Sequence, residues 1–325
     1  MSIVRPFRGL RPPQDQVLKV ACPPYDVAST EEARRYAAGN PISFFHVSKP
    51  EIDFPAPHDE HAADVYEQGK ENLARLRRDG VLALDPTPCH YVYRQRMGDH
   101  VQTGLCTCAS VDEYQSGRIL KHELTRRDKE DDRTRHVDVL GGNDEPVFLL
   151  YRARRAIDAL IAEITAGPPD YDFTTDDGIV HTFWVVADRG RRDAITREFL
   201  EIKRLYVADG HHRSAAASRT RDARAGRNPG HTGSEEYNFF LAVIFPHDQM
   251  KIMDYNRVVL DLGGLTPAAF LEQLRVKFEV RPGQAEKPGA VHDFGLFLDG
   301  QWYALRAKPG TFDPEDPIGV LDVTI

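Results

Sequence analysis

Short apolar runs alternate with longer amphipathic segments along most of the chain. The short runs have the length of strands and are bounded by polar, Gly- or Pro-containing stretches. Two dipeptides, Gly98-Asp99 and Asp299-Gly300, each separate a pair of such runs and predict hairpins. The pattern predicts strands at 42–47, 91–97, 101–109, 146–151, 181–187, 204–209 and 240–246.

The longer segments place apolar residues at helical spacing. Within 62–78, for example, Val65, Leu73 and Leu76 fall on one face, and Gly80 follows as a C-terminal stop. The mixture of strand and helix patterns predicts an α/β protein of the mixed α+β kind with a central mixed sheet. Helices are expected at 30–38, 62–78, 128–140, 154–165, 190–202, 211–225 and 266–277.

Polar loops rich in Pro and Gly divide the chain, and the length of 325 residues suggests about two domains. We place the boundary at the loop 166–178. Residues 1–165 then form an N-terminal α/β part, and residues 166–325 form a C-terminal part. The chain stops within the apolar segment GVLDVTI, so we expect the C-terminal part to be truncated.

Charge and composition exclude several classes of protein. The 42 Lys and Arg against 50 Asp and Glu give a net charge of −8, which argues against a nucleic-acid partner. The longest apolar runs, such as 147–151, are far shorter than a membrane-spanning helix, and no secretory signal is present. The 4 cysteines are too scattered for a disulfide framework. We therefore expect a cytoplasmic protein with no membrane partner.

The segment 204–219 carries the strongest candidate chemistry. An apolar strand turns at Asp209-Gly210 and enters an Ala-rich helix. The start of a helix offers unpaired N–H groups and a partial positive charge, both of which favour phosphate. The side chains of His211, His212 and Arg213 add donors at the same place. The alternative is a plain strand–turn–helix unit in which Asp209 caps the helix.

The neighbouring histidines also raise the possibility of a metal site. Consecutive helical side chains point about 100° apart, so His211 and His212 are poorly placed to hold one ion. The segment beginning His122-Glu123 lacks the second histidine of a zinc-protease helix. A zinc hydrolase is therefore a weak alternative.

A second polar segment, 121–147, contains further candidates. In a helix over 128–140, Lys129, Arg133 and His136 share one face that could line a polyphosphate channel or lie in solvent. Carboxylate and amide oxygens bind Mg²⁺, and a carboxylate can act as a general base. The residues with this chemistry on either side of the helix are His122, Glu123, Asn143 and Glu145.

The motifs together resemble those of a conserved bacterial family, the domain of unknown function number one thousand and fifteen. The resemblance covers the whole chain and implies that family members continue past its last residue. The matching motifs are Arg5-Pro6-Phe7, Pro23-Pro24-Tyr25-Asp26-Val27, His122-Glu123-x-Thr125, Lys129-Glu130, Arg133, Ala208-Asp209-Gly210-His211-His212-Arg213 and Tyr255-Asn256-Arg257.

The Asp-Gly-His-His-Arg turn further resembles the phosphate-binding motif of the partition-protein (ParB)/sulfiredoxin-like superfamily. A sulfiredoxin has Cys where this chain has His211, so that chemistry lacks its nucleophile. A partition protein adds a basic helix-turn-helix, which the charge of this chain disfavours. Free-serine kinases share the Asp-Gly-His-His-Arg turn itself. The resemblance therefore implies a nucleotide-binding core and phosphoryl transfer to a small hydroxyl compound, with free L-serine as a candidate acceptor.

This interpretation assigns a role to each candidate. Asp209 or Glu123, with His122 beside it, would orient or deprotonate the acceptor hydroxyl. Mg²⁺ would lie near Asn143 or Glu145, with ATP or ADP as the phosphoryl donor. The alternative is a nucleotide-sensing regulatory protein without turnover. The phosphate ligands would be Gly210, His211, His212, Arg213, Lys129 and Arg133.

Overall fold

The computed structural model describes residues 1–254, 256–283 and 287–325. The chain divides into two compact units, Met1–Ile252 and Met253–Ile325. The expected boundary at 165–166 falls inside the first unit. Strand β9 (Val180–Val186), which follows that position, pairs antiparallel with β4 (His90–Met97), which precedes it. Hydrogen bonds of one sheet thus join the two halves that the loop pattern suggested separating.

The first unit is built on a mixed sheet of 9 strands, in agreement with the predicted fold class. Besides β4 and β9, the strands of the unit are β1 (Val4–Arg5), β2 (Leu10–Arg11), β3 (Ala83–Leu84), β5 (His100–Ser110), β6 (Ile119–Leu120), β7 (Val147–Tyr151), β8 (Tyr171–Thr174), β10 (Leu205–Asp209) and β11 (Phe239–Pro246). The path of the mixed sheet is β6-β10-β7-β11-β5-β4-β9-β8, with β1 paired to β5. β6 and β10 are parallel, as are β7 and β11, and the other pairs of this sheet are antiparallel.

Helices pack on this sheet and on one another. The unit's helices are α1 (Val17–Val20), α2 (Thr30–Ala37), α3 (Phe45–Ser48), α4 (Ala63–Arg78), α5 (Val111–Gln115), α6 (Arg127–Leu140), α7 (Arg155–Thr165), α8 (Arg189–Leu200) and α9 (His211–Arg227). α7 and α8 contact each other, α9 contacts β7 and β11, and α6 packs along α9. Short 3₁₀ helices cover Pro50–Asp53, Glu236–Asn238 and His247–Gln249.

The core of the first unit includes residues of β5, β6, β7, β10 and β11. Leu105, Ile119, Leu149, Leu205 and Phe240 are almost fully buried there. Burying each such side chain stabilises the fold by about 1.5–3 kcal/mol. Small residues of α9 are also buried, which lets the helix lie close to the sheet, as the Ala-rich sequence predicted.

One predicted strand, 42–47, is wrong. Phe45–Ser48 form the helix α3 instead. Phe45 packs with one apolar cluster, whereas Val47 packs with another that includes Leu76. A short apolar run is compatible with either a strand or a buried helical turn. Here the helical turn is formed, and it allows Phe45 and Val47 to pack into two different apolar clusters.

The described residues of the second unit form a three-stranded antiparallel sheet of order β12-β14-β13 and the helix α10 (Pro267–Lys277). Its strands are β12 (Phe278–Pro282), β13 (Asp293–Leu298) and β14 (Gln301–Ala307). The hairpin predicted at Asp299-Gly300 is confirmed by the pairing of β13 with β14. Of the family motif Tyr255-Asn256-Arg257, Tyr255 lies outside the described residues.

Candidate functional site

A single residue turns β10 into α9. Gly210 has φ 89° and ψ 33°, a left-handed conformation that glycine adopts at little cost. A Cβ atom on this residue would lie 3.1 Å from Cζ and 3.1 Å from Nε of Arg213, whose guanidinium covers the turn. Both the backbone conformation and the close approach therefore require glycine here.

The turn leaves the first N–H groups of α9 without a side-chain cap, because its N-cap residue is Gly210. Free N–H groups and the helix dipole make such a terminus favourable for an anion. Asp209 is the last residue of β10, and its carboxylate accepts a hydrogen bond from Arg213. The alternative that Asp209 caps the helix is therefore wrong.

The side chains of the two adjacent histidines separate, as their helical positions predicted. His211 is 4% exposed and turns toward His122, with 4.4 Å between the ring centroids. His212 instead accepts a hydrogen bond at Nε2 from the backbone N–H of Arg126, at 3.2 Å. Each histidine thus contacts a different part of the loop between β6 and α6: His211 contacts His122, and His212 contacts Arg126.

His122, Glu123 and His211 form what we name the histidine–glutamate cluster. One potential ligand atom from each lies within 4.8 Å of the others. Nδ1 of His211 is 3.6 Å from Oε2 of Glu123. Burial lowers the pKa of His211, and the neighbouring His122 lowers it further, so this imidazole is neutral near pH 7.

Strand pairing explains why these residues meet. β6 is parallel to β10, with Leu120 opposite Tyr206. Parallel strands end at the same edge of a sheet, so the residues that follow β6 lie beside the start of α9. His122 and Glu123 follow β6 directly, whereas His211 follows β10 after one glycine.

Arg213 points away from this cluster and ties together three chain segments. Its Nη1 donates to the carbonyl of Pro146 and its Nη2 to the carboxylate of Asp209. Nη2 also lies 3.8 Å from Oδ2 of Asp26. Nε is buried without a hydrogen-bond partner among the described residues. Arg213 therefore already holds the ends of β7 and β10 in place, and only part of its donor set is free.

A narrow cavity, with room for about one water molecule, adjoins Arg213. We name it the arginine–carboxylate cavity. The guanidinium of Arg133 stacks over Tyr25 at 4.1 Å from the ring centroid, and its Nε donates to Asp132 at 2.8 Å. The cavity is lined by Tyr25, Arg133, Val137, Asn143, Asp144, Glu145, Val147 and Arg213.

Two neighbouring carboxyl groups in this cavity differ in protonation. Oε1 of Glu145 accepts from the backbone N–H of Tyr25 at 2.8 Å, whereas Oε2 is buried with no partner in the described part of the chain. Burial, and then the charge of Asp144, raise the pKa of Glu145 to about 8. Burial also acts to raise the pKa of Asp144, but His136, 3.0 Å away, outweighs it and holds that pKa below its usual value.

The residues predicted from sequence thus form two groups that the first turn of α9 joins. His122, Glu123 and His211 belong to one group, with His212 nearby. The other contains Arg133, Asn143, Glu145 and Arg213, with Asp209 hydrogen-bonded to the Arg213 guanidinium. Lys129 is exposed near the start of α6.

The face shared by Lys129, Arg133 and His136 is not solvated along its length. His136 is 2% exposed and pairs with Asp144, and the Arg133 side chain is 12% exposed. The interpretation of this run as a solvent-facing stripe is therefore wrong for these two residues.

From the sequence, Tyr25 was only a residue that the Pro23-Pro24 loop could present, with turn-making as the alternative, and Asp144 was not selected, although both line the cavity. The Pro23-Pro24-Tyr25-Asp26 motif was a signal for Tyr25, since two prolines stiffen the loop that presents it. Asp144 stands between two residues already selected, Asn143 and Glu145, but its pairing with His136 depends on tertiary packing.

A family described as protein of unknown function (DUF1015) matches residues 4–324, and the chain belongs to this family. No curated protein and no solved structure matches the chain. Within the described residues, no helix is both long and apolar enough to span a lipid bilayer.

Proposed function

We propose that this protein is a phosphotransferase that binds the phosphates of ATP or ADP at the start of α9 and phosphorylates a small hydroxyl compound. Free L-serine is a candidate acceptor. The observation that carries the proposal is the β10–Gly210–α9 turn, where uncapped N–H groups lie beside His211, His212 and Glu123. A core of the ParB/sulfiredoxin-like type is part of this proposal.

The phosphates would contact the N–H groups of residues 210–213 and the imidazole of His212. The Arg213 guanidinium is not free to bind phosphate with both terminal nitrogens, because they already donate hydrogen bonds to Pro146 and Asp209. A phosphate oxygen could replace the Asp209 carboxylate on the guanidinium, which would release that carboxylate toward the acceptor. Phosphate binding to Arg213 would then also free the Asp209 carboxylate to act as the base.

Glu123 is the second candidate for the base. Its side chain is 59% exposed, so an acceptor can reach it, and it lies beside the neutral His211. His122, in ring contact with His211, would help to orient it. Lys129 and Arg133 would counter the charge of the transferring group, Lys129 from the exposed start of α6 and Arg133 from the cavity.

Mg²⁺ near Asn143 and Glu145 is the least favoured part of the proposal. Glu145 must lose a proton to bind the ion, and its pKa is raised to about 8. Arg133 and Arg213 line the same cavity and repel a cation. Binding of Mg²⁺ there should therefore strengthen as the pH rises.

One observation favours a nucleotide sensor as the second candidate function. Asp209 is bound to Arg213, and Asp144 is bound to His136, so two carboxylates close to the turn already have partners. A sensor needs the phosphate-binding turn but no free base.

Replacement of Asp209 by Asn tests the enzyme against the sensor. The chain should be incubated with ATP or ADP, Mg²⁺ and a set of small hydroxyl compounds that includes L-serine, and phosphorylated product should be measured. A catalytic carboxylate predicts a loss of turnover of about 10²-fold or more in Asp209→Asn, with nucleotide affinity retained or increased, because the neutral amide competes less for Arg213. Asp222→Asn, also a carboxylate paired with an arginine, is the matched control.

Tight nucleotide binding by the wild type without turnover on any acceptor would favour the sensor. Equal turnover in wild type and Asp209→Asn would move the base to Glu123. If the wild type bound no nucleotide, both candidate functions would be wrong.

A further inference from the structure

The ring of His211 is buried, yet neither ring nitrogen makes a hydrogen bond to a described residue. Nε2 has no partner, and Nδ1 is 3.6 Å from Glu123, which is beyond hydrogen-bond distance. Buried polar groups are almost always paired, and Nδ1 is the nitrogen that faces Glu123, so the missing partner at this atom requires an explanation.

We infer that His122, Glu123 and His211 bind one divalent transition-metal ion of the Zn²⁺ class. Two imidazole nitrogens and one carboxylate oxygen are a donor set that zinc accepts, with a fourth position left open. Mg²⁺, by contrast, prefers oxygen ligands alone. The donor set therefore separates this ion from the Mg²⁺ considered near Asn143 and Glu145.

The geometry needs only small changes to close around an ion. Zinc ligand atoms at about 2.0–2.2 Å from a tetrahedral ion lie about 3.3 Å apart. The Glu123–His211 pair, at 3.6 Å, is already near that separation, and all three ligand atoms lie within 4.8 Å. His122 and Glu123 are exposed on a loop, so rotation of their side chains can bring them inward, whereas burial holds His211 in place.

Glu123 and His211 do not satisfy each other directly, because 3.6 Å between Oε2 and Nδ1 is too long for a hydrogen bond. An ion between these two atoms would bind both. The carboxylate of Glu123 would supply the only negative charge among the three ligands and would partly neutralise the ion.

Because His211 is the first residue of α9, an ion bound to it would lie beside the start of that helix. An ion there would add positive charge beside the helix N–H groups and could bind a phosphate oxygen directly. This role in phosphate binding rests on the proposed function, whereas the affinity of the three side chains for the metal does not.

The test is metal binding by the complete chain, freed of metal with a chelator and then titrated with Zn²⁺ by calorimetry and with Co²⁺ by visible absorption. We expect one ion per chain and Co²⁺ bands typical of four or five ligands. His122→Gln and Glu123→Gln should each weaken binding at least about 10-fold, since even outer-shell partners of a metal site carry that effect. Both side chains are exposed, so the variants should fold.

The control is His231→Gln, which alters another histidine beside a glutamate. Nδ1 of His231 lies 3.1 Å from Glu235, but no third ligand group surrounds that pair in the described part of the chain. Its affinity for Zn²⁺ should match that of the wild type. Absence of saturable binding, or equal affinities in His122→Gln, Glu123→Gln and wild type, would overturn the metal site.

Phosphate and nucleotide binding, measured both with added Zn²⁺ and with chelator, separates the two proposals. If the chain binds the metal but binds no nucleotide under either condition, the metal site stands and the proposed function is wrong. If the chain binds nucleotide but no metal, the proposed function stands and the metal site is wrong.

Discussion

The two groups of polar residues on either side of Gly210 differ in how far their charges are paired. In the arginine–carboxylate cavity, Arg133 is bound to Asp132, Asp144 to His136, and Arg213 to Asp209. In the histidine–glutamate cluster, His211 has no hydrogen bond to a described residue, and Glu123 is more than half exposed.

This difference separates stability from binding. A buried charge is costly to leave unpaired, so the cavity residues mainly hold segments of the fold together. An exposed carboxylate beside a neutral, unpaired imidazole is available to a ligand at little cost to the fold. We therefore expect substitutions in the cavity to change unfolding, and substitutions in the cluster to change binding.

The largest expected effect is that of Asp132→Ala. Asp132 accepts hydrogen bonds from Arg133 and from Tyr66, both at 2.8 Å, and its removal leaves the buried Arg133 guanidinium without its hydrogen-bonded carboxylate. Unfolding in urea should show a loss of about 3–5 kcal/mol. Asp131→Ala, which removes a half-exposed partner of Arg219, should cost less than about 1 kcal/mol. Equal losses of unfolding free energy in the two variants would contradict a stabilising role for the buried Arg133–Asp132 pair.

The next effect is a pH dependence that comes from Glu145. Its folded-state pKa of about 8 is above the usual carboxyl value, so protonated Glu145 stabilises the fold fully below about pH 4.5. That contribution declines as the pH rises toward 8. The free energy of unfolding should fall by about 3–4 kcal/mol between pH 5 and pH 8 in the wild type.

Glu145→Gln keeps the shape of the side chain but cannot lose a proton. Its unfolding free energy should change much less over the same pH range, as measured by urea unfolding at each pH. Parallel curves for wild type and Glu145→Gln would show that Glu145 titrates normally.

A smaller effect is expected at the turn between the two groups. Gly210→Ala introduces a Cβ at positive φ, which costs about 1–2 kcal/mol, and displaces the Arg213 guanidinium. Nucleotide affinity should fall as well. Gly226→Ala, in the same helix, meets no neighbour within 4 Å and should stabilise by about 0.5–1 kcal/mol. If Gly210→Ala left the free energy of unfolding unchanged, the requirement for glycine at this turn would be wrong.

The smallest expected effect is that of Glu123→Ala on metal-free protein. Glu123 makes no close pairing with the buried His211, so the free energy of unfolding should stay within about 0.5 kcal/mol of the wild type. Thermal unfolding in the presence of a chelator measures it. A loss above about 1 kcal/mol would mean that Glu123 holds the fold as the cavity carboxylates do, and the contrast would disappear.

Much of the secondary structure follows from local sequence. The hairpins at Gly98-Asp99 and Asp299-Gly300 are confirmed, and α9 begins at His211 as the pattern predicted. The failure at 42–47 arose because a run of that length fits a strand or a buried turn equally well. The family was identified from motifs spread over the chain, and the matched residues 4–324 confirm it.

The local chemistry of the candidate site was also present in the sequence. Gly210 before a helix predicts an anion-binding terminus, and the angle between adjacent helical side chains predicts that His211 and His212 diverge. These inferences depend only on backbone geometry over a few residues, and for that reason they needed no knowledge of the fold.

The partners of these side chains depend instead on which strands lie side by side. The parallel pairing of β6 with β10 brings His122 and Glu123 to His211 and completes a ligand set that no single segment contains. The packing of α6 buries the side chains of Arg133 and His136. The local sequence is equally compatible with these side chains lying in solvent. Hydrophobic periodicity reports the local conformation of the backbone, but long-range pairing decides which charges meet and which remain free to bind a ligand.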